Sequence, residues 1–342
     1  MPSRAEQFPK QMALTSTVLA EIWKKLNWRT ARRIIHKIQV WWGDNVQDIF
    51  THEPLRTRRS LERRFRLWTG KSLNLEQPKT LGEKIQWLKF YYHNPILTKL
   101  ADKYTVRPYV AEKIGEEYLI PLIGVYESVS EIDFEKLPKK FILKATHGCG
   151  WNILCKDKQC FDIEEAKRKL KKWLRTNYYY SSGKMKMRMG LEWQYKEMKP
   201  RVVCETLLER PDGKDLYDYK IYLFNGVPKF ILIAVGRSSS LTFMCFTTDW
   251  ERIPVSRLDA PGGTDISVPK PKQLDKMLAL ACQLAPDVPL VRVDFYIHED
   301  KIYFGELTFT PNSGNARWKP EHYDRIFGDM LVLPEKTYSV EN

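Results

Sequence analysis

The 342-residue sequence has no long hydrophobic run. Its longest apolar stretches, FILIAV and LALACQLA, are much shorter than the roughly 20 residues that a transmembrane helix needs. The polar start, MPSRAEQFPKQ, also lacks the apolar core of a signal peptide. With 43% hydrophobic residues, a chain of this length can bury a sizeable core. These features predict a soluble globular protein of the cytoplasm.

Cysteines are few and scattered. Six occur, at positions 149, 155, 160, 204, 245 and 282, without a CxxC pair or a His/Cys cluster at zinc spacing. This pattern indicates reduced and mostly buried thiols. Cys149 differs because it lies in a glycine-flanked loop, where nearby positive charge would stabilise a thiolate. A catalytic cysteine has no support, since no arrangement of His and Asn accompanies it.

The formal net charge of +14 is concentrated near the amino terminus. The first 70 residues hold 14 Lys/Arg and 6 Asp/Glu, whereas the remainder is only mildly basic. Such an excess favours an anionic partner, which a nucleic acid, a membrane surface or a phosphorylated substrate would each provide. Nucleic acid fits worst, because the sequence has no RNP-type aromatic strand, helix-turn-helix signature or zinc finger. We therefore predict no specific nucleic-acid partner.

Residues 18–42 have the pattern of a basic amphipathic helix, with apolar residues at helical spacing among basic ones. The apolar set is Ile22, Leu26, Ile34, Ile35, Ile38, Trp41 and Trp42, and the basic set is Lys24, Lys25, Arg29, Arg32, Arg33 and Lys37. One interpretation is peripheral docking on the anionic inner face of a membrane. The other is a helix packed on the protein with a solvated basic face. Flotation with anionic liposomes distinguishes them, because a chain that starts near Thr80 loses binding only under the first.

From Thr80 onward the pattern is that of a globular domain with mixed elements. TLGEKIQWLKFYY predicts a helix in which Thr80 and Glu83 form a capping box. A second helix is predicted over residues 95–115, with Pro108 as the residue that kinks or splits it. Three hairpins are predicted, pairing 140–145 with 151–155, the strands on either side of Asn225-Gly226, and 291–297 with 302–309. Because no βαβ repeat is present, the fold class is α+β.

Two groups of residues have the character of a nucleotide site. Lys144 ends a predicted strand directly before the THGCG turn, where Gly148 and Gly150 would let the backbone approach a phosphate. Taken alone, however, a hairpin with two glycines is more often only a turn. The second group lies in the last hairpin and carries opposite charges.

In the last hairpin, strand alternation places Arg292 and Asp294 on one face, and Glu306 and Thr308 on one face of the neighbouring strand. Charged groups in apolar strands are costly unless a metal or another partner offsets them. A buried Arg–carboxylate salt bridge is therefore one explanation and a metal site is the other. The polar run TFTPNSG that follows favours a site, because a structural bridge alone does not require it.

Several segments, in order, resemble the TupA-like branch of the ATP-grasp superfamily. They are LPKKFILKATHGCGWN, CETLLE, DLYDYKIYLFNGVPKFI, VRVDFYIHEDKIYFGELTFTP and PEHYDRIFGDML. The resemblance runs from about Thr80 to Leu333 and leaves the basic amino-terminal segment uncovered. It implies an ATP-grasp fold in which two α+β lobes hold a nucleotide between them, and an ATP-dependent reaction in which a carboxylate becomes an acylphosphate that an amine attacks.

The resemblance also implies roles for individual residues. ATP would be bound by Lys103, Lys144, His147, Gly148, Cys149, Gly150, Glu205, Leu207 and Asp218. Lys144 would contact the α- and β-phosphates, residues 147–150 would cover them, and Glu205 would lie near the exocyclic amine of adenine. Mg2+ would be held by Asp294, Glu306 and Thr308, with Arg292 and Lys220 as catalytic residues. Arg107 would be a phosphate or substrate contact.

One position departs from the family pattern. Many ATP-grasp enzymes carry asparagine two residues after the last metal-binding glutamate, whereas this chain has Thr308. A threonine hydroxyl is a weaker metal ligand, so a second metal position would be occupied differently. Asn312 lies further along the chain and is a candidate substitute.

These features together predict three segments: a basic helical extension at 1–75, an amino-terminal lobe at 76–205 and a carboxyl-terminal lobe at 206–342. The activity that the resemblance implies is an ATP-dependent carboxylate–amine ligase of cell-surface polysaccharide assembly, acting on a uronic-acid or peptide carboxylate and an amine such as an amino acid. One alternative is a glycosyltransferase of the same pathway, although no DxD-like motif occurs in a convincing context. A basic scaffold that binds nucleotide or nucleic acid without catalysis is the other.

Overall fold

A computed structural model describes residues 53–180, 191–210, 215–236, 241–258 and 267–338. The chain divides into two compact units, residues 1–63 and 64–342. The predicted amphipathic helix at 18–42 lies outside the described residues, so that helix and its membrane contact stay predictions. In the described ranges, no helix is both long enough and apolar enough to cross a membrane.

The described residues form seven α-helices and twelve strands. The helices are α1 Glu53–Thr69, α2 Leu81–Tyr91, α3 Ile96–Ala101, α4 Val106–Ile114, α5 Ile163–Leu174, α6 Leu274–Leu284 and α7 His322–Asp329. The strands are β1 Leu122–Tyr126, β2 Phe141–Ala145, β3 Asn152–Cys155, β4 Val202–Thr206, β5 Asp218–Phe224, β6 Val227–Val235, β7 Thr242–Phe246, β8 Arg252–Ile253, β9 Ser256–Arg257, β10 Leu290–His298, β11 Lys301–Thr308 and β12 Trp318–Lys319.

A four-stranded antiparallel sheet with the order β1-β4-β2-β3 forms the smaller layer. The inward residues of β2, Phe141 and Leu143, alternate with partly exposed neighbours, as expected for a sheet with one face in a core. Ala166 and Leu170, four residues apart on α5, are buried in that same core. Lys144 lies on the other face of β2, and this alternation directs it away from the core.

A six-stranded antiparallel sheet with the order β11-β10-β5-β6-β7-β8 forms the larger layer. Every residue of the central strand β5 is buried. The buried residues of α6 follow the spacing of a helix face, and that face packs on β5, β6 and β10. The described strands thus form antiparallel sheets with separate helices, which confirms the predicted α+β class.

Local sequence signals determine several of these elements. Thr80 caps α2 by accepting a hydrogen bond from the Glu83 amide, and Glu83 accepts one from the Thr80 amide, so the predicted capping box is confirmed. Asn225 and Gly226 both have positive φ, at 50° and 78°, as a two-residue hairpin turn requires. All three predicted hairpins are present.

The prediction for Pro108 was wrong. The helical pattern breaks earlier, after α3, where the Asp102 carboxylate accepts hydrogen bonds from the amides of Tyr104 at 2.7 Å and Thr105 at 3.0 Å. This turn competes with helical hydrogen bonding and separates α3 from α4. Pro108 lies in the first turn of α4, where a missing N–H group costs no intrahelical bond.

Asp324 makes stability depend on pH. It lies on α7, and its Oδ1 accepts a hydrogen bond from the Gly82 amide of α2 at 3.1 Å. Burial raises the pKa of Asp324 to about 6 from 3.8. The folded state therefore holds this proton more tightly than the unfolded state, so its contribution to stability falls as pH rises from about 4 to 6.

We expect Asp324→Asn to remove this decrease of stability with rising pH. Above pH 6 the variant should have a free energy of unfolding that is higher by up to about 3 kcal/mol. The asparagine oxygen keeps the acceptor for Gly82 without the buried charge. Urea unfolding between pH 4.5 and 8 measures the effect. Asp329→Asn changes an exposed carboxylate at the end of the same helix, and retention of the slope in that variant is the control. An unchanged slope in Asp324→Asn contradicts the prediction.

Candidate functional site

The smaller sheet carries a charged cluster centred on Glu205. Lys144 on β2 and Glu205 on β4 are side by side, with Nζ and Oε2 2.6 Å apart. The other carboxylate oxygen accepts a hydrogen bond from Arg107 at 2.9 Å, and Arg107 also donates to the Ile120 carbonyl oxygen at 2.9 Å. Both oxygens of Glu205 are thus held by cations. Leu207 follows directly after β4.

The loop between β2 and β3 packs against aromatic rings. Lys103 donates from Nζ to the Gly148 carbonyl oxygen at 2.6 Å, which ties the loop to the turn before α4. A Cβ at Gly148 would lie 2.6 Å from the Trp151 ring and 2.9 Å from the Tyr178 ring. Glycine is therefore needed at 148 for close packing. Gly150 has a φ of 71°.

His147 is buried in this aromatic cluster rather than at an open surface. Its Nε2 lies 3.0 Å from the Trp173 carbonyl oxygen, and its ring packs edge-on against Trp151. Burial lowers the pKa of His147, so the imidazole is neutral at physiological pH. Its contribution to the loop is packing, and the predicted contact with phosphate stays a prediction.

The larger sheet carries the second charged cluster. Asp294 on β10 pairs with Glu306 on β11 and with Lys220 on β5, so three charged residues lie side by side across adjacent strands. Lys220 bridges Asp294 and Asp218, with Nζ 2.7 Å from the Asp218 Oδ2. Arg292 on β10 pairs with Thr308 on β11, which completes this group of polar residues. The predicted juxtaposition of these residues is present.

Arg292 joins the carboxylates of this cluster. Its Nε donates to the Asp294 Oδ1 at 2.6 Å, and its Nη2 donates to the Asp294 Oδ2 at 2.7 Å and to the Glu306 Oε1 at 2.8 Å. Burial disfavours the charge on Arg292, but Asp294, then Tyr222 and Glu306, outweigh burial and raise the pKa of the guanidinium. Arg292 therefore stays charged and is held rigidly by a bidentate contact.

A cavity of about 160 Å³ is lined by residues of both the glycine loop and this cluster. Its walls include Cys149 from the loop and Arg292, Glu306 and Thr308 from the sheet. The remaining lining residues are Trp68, Tyr178, Glu192, Tyr195, Thr310, Asn312, Ser313, Asn315 and Arg317. Asn312, the candidate substitute for the missing asparagine, thus lines the same cavity as Thr308.

The Cys149 thiol is not the thiolate that the glycine loop suggested. Although the residue is exposed, desolvation of the thiol, with Glu306 adding to it, raises the pKa of Cys149. Lys103 and Arg292 act in the opposite direction and do not compensate. A neutral thiol is a poor nucleophile, which agrees with the absence of support for a catalytic cysteine.

Sequence reasoning missed a buried polar network behind the cavity. Glu192 accepts a hydrogen bond from Thr310, and Lys89 donates to the Ser313 Oγ at 2.9 Å and the Gln86 Oε1 at 3.0 Å. Burial raises the pKa of Glu192 and lowers that of Lys89, while each charge opposes the shift of the other. The signal available in the sequence was the pair Gln86 and Lys89, three residues apart among apolar residues of α2.

The oxygen donors of the second charged cluster have the chemistry that Mg2+ prefers. Asp294 and Glu306 face each other across two strands, and Thr308 donates to the Glu306 Oε1 at 3.1 Å. The Glu306 side chain is 34% exposed, whereas that of Asp294 is 2% exposed. Within the described ranges, no group of three or more His, Cys, Asp or Glu is arranged to hold a metal. Two carboxylates nevertheless suit Mg2+, which usually takes its remaining ligands from phosphates and water.

A family model described as TupA-like ATPgrasp matches residues 83–332. A D-alanine–D-alanine ligase from Bacillus anthracis complexed with ATP is 15% identical, with 63% of this chain and 57% of that chain covered and a TM-score of 0.35. An L-amino acid ligase from Bacillus licheniformis is 14% identical, with 68% and 45% covered and a TM-score of 0.38. This chain spans less than two thirds of either ligase. The comparison with curated proteins found no significant match.

Proposed function

The chain belongs to the TupA-like ATP-grasp family, as its motifs predicted. From this premise we propose that it is an ATP-grasp ligase that joins a carboxylate to an amine through an acylphosphate. The observation that carries this proposal is the convergence of Arg292, Lys220, Asp294 and Glu306 beside the glycine loop. Phosphoryl transfer requires mainly positioning and neutralisation of charge, which fixed cations supply.

In this proposal, ATP binds between the two charged clusters. Lys103 and Lys144 lie on the side of the smaller sheet and provide positive charge for the phosphates. Glu205, held by Lys144 and Arg107, orients the hinge that would bind adenine, together with Leu207. Asp218 and Lys220 lie on the opposite side, at the start of β5. No residue in this set acts as a nucleophile, so no catalytic triad is needed.

Arg292 is the residue that we assign to stabilise negative charge on the transferring phosphoryl group. Its bidentate contact with Asp294 holds it in one orientation before substrates arrive, so little reorganisation is needed during the reaction. Mg2+ would be held by Asp294 and Glu306, with Thr308 or Asn312 beside them, and would neutralise charge on the phosphates. The acceptor carboxylate attacks the γ-phosphorus, ADP leaves, and the amine then displaces phosphate from the acylphosphate.

The family resemblance further suggests a role in the assembly of a cell-surface polysaccharide. We propose that the carboxylate is that of a uronic acid or a peptide. If the basic segment at 18–42 binds the anionic inner face of a membrane, it would bring the site to a lipid-linked glycan. The motif match supports the pathway, and the oxygen-rich cavity supports a polar substrate.

An ADP-release assay tests the proposed ligation. Purified protein is incubated with ATP, Mg2+, glucuronic acid and a mixture of amino acids, and the amide is sought by mass spectrometry. We expect ADP release that depends on the amino acids and falls by roughly 100-fold or more in Glu306→Ala. Glu164→Ala, an exposed glutamate of α5, is the matched control. Turnover of a UDP-sugar without amine-dependent ADP release would contradict ligation and favour a glycosyltransferase.

A further inference from the structure

The cavity is also lined by polar groups that phosphoryl transfer does not use. Tyr178 and Tyr195 line it and are only 2% and 9% exposed. Neither phenol has a hydrogen-bond partner within the described part of the chain, although each ring packs on the other at 4.8 Å. Burial, and then Glu192, raises the pKa of both phenols, so both remain protonated donors. Two phenols that line the cavity can donate hydrogen bonds to a polar ligand there.

Glu192 presents its carboxyl group to the same space, where a bound ammonium group would favour the charged form. It is 5% exposed, lines the cavity, and accepts a hydrogen bond from Thr310. Thr310 in turn accepts from the Gln194 amide at 2.9 Å, which fixes its hydroxyl toward Glu192. Lys89 donates to the Ser313 Oγ at 2.9 Å and partly balances the charge of Glu192. A buried carboxylate beside two phenols is a suitable partner for an ammonium group.

Arg317 presents positive charge at the exposed rim. It lines the cavity, and among the described residues no carboxylate pairs with it. Arg292, the other cavity arginine, is occupied by Asp294 and Glu306. Arg317 is therefore the guanidinium available for an anionic group, which it could bind through two parallel hydrogen bonds.

We propose that this cavity binds the amine substrate of the ligase, and that this substrate is an amino acid whose ammonium group contacts Glu192 and whose carboxylate contacts Arg317. The assignment rests on the proposed ligation. The cavity volume is comparable with that of one amino acid, and its opposite charges match the two ends of an α-amino acid. Arg292 and Glu306 on the adjoining wall place the amine next to the site of acyl transfer.

The first test needs no variant. Wild-type protein is assayed with ATP, Mg2+ and glucuronic acid, using L-alanine, L-glutamate and L-lysine and the C-terminal amide of each. We expect the amino acids to have KM values roughly 10- to 100-fold lower than their amides, because a charge-assisted hydrogen bond to Arg317 is lost in the amide. Equal KM values for acids and amides overturn the assignment of Arg317.

The second test uses substitutions. Arg317→Met should abolish the preference for the acid over the amide, while Arg325→Met, at an exposed arginine of α7, should keep it. Glu192→Gln should raise the KM for the amino acid by roughly 30-fold or more and leave the KM for ATP unchanged, with Glu164→Gln as control. Thermal melting reports whether Glu192→Gln folds. If that variant does not fold, Tyr195→Phe, which removes only the hydroxyl, should raise the amine KM alone.

The outcomes separate the two proposals. Amine-dependent ADP release with unchanged amine KM values in Arg317→Met, Glu192→Gln and Tyr195→Phe overturns this pocket and leaves ligation intact. ADP release without any dependence on an amine overturns both. A raised amine KM with an unchanged ATP KM supports the pocket, because a general loss of structure would change both.

Discussion

Asp294→Ala is expected to lower the free energy of unfolding by about 3–5 kcal/mol. Asp294 is 2% exposed and accepts hydrogen bonds from both Arg292 and Lys220. Without its carboxylate, Lys220 keeps Asp218, but the buried Arg292 keeps only the partly exposed Glu306, so its charge is no longer compensated inside the sheet. Uncompensated buried charge is among the most destabilising changes that one substitution can cause.

Urea unfolding at pH 7.5 measures this effect. Asp287→Ala, at an exposed residue that precedes β10, is the matched control and should lie within about 1 kcal/mol of wild type. If the free energy of unfolding of Asp294→Ala lies within the same range, water replaces the carboxylate and the cluster is less buried than its contacts imply. Addition of Mg2+ and ATP should stabilise the wild type more than the variant, since binding to the folded state alone adds stability.

Arg292→Lys is expected to lower kcat for the ligation by roughly 100- to 1000-fold. Lysine keeps the positive charge between Asp294 and Glu306, so the protein should fold. It lacks the planar pair of donors with which the arginine contacts both oxygens of Asp294, and its single ammonium group cannot reproduce that orientation. Catalysis should therefore suffer more than stability.

Single-turnover ADP formation measures this step and separates it from product release. Arg325→Lys, an exposed arginine paired with Asp329, is the control and should leave kcat unchanged. A kcat for Arg292→Lys within threefold of wild type would mean that charge alone is needed at this position. Loss of folding in the melting curve would instead assign Arg292 a structural role.

Local patterns predicted much of the fold. The capping box at Thr80, the Asn225-Gly226 turn and the strand alternation of the last hairpin are each determined by residues close in sequence. The ATP-grasp membership also followed from the order of the motifs. Pro108 was misinterpreted because the competing turn at Asp102 depends on a side chain that caps two amides, which periodicity does not reveal.

The pairing of Asp294 with Glu306 depends on a bulge. The turn between His298 and Lys301 has two residues, and regular pairing from it would place Asp294 opposite Gly305, which would put Asp294 and Glu306 on different faces. A register shift after Asp294 inserts Gly305 as the extra residue and aligns the two carboxylates. A Cβ at Gly305 would lie 3.0 Å from the Asp294 carbonyl oxygen, which explains why glycine suits this position.

The sequence by itself determined the strands, the turns and the identity of the charged residues, because these depend on neighbours within a few positions. Only the tertiary structure decided that Lys220 bridges Asp294 and Asp218, and that Glu192, Tyr178 and Arg317 line one cavity with Glu306. Those contacts join segments far apart in the chain, and burial makes each depend on partners that no local periodicity encodes. The bulge at Gly305 depends on both, because one extra residue in β11 shifts the register and places Asp294 and Glu306 on the same face of the sheet.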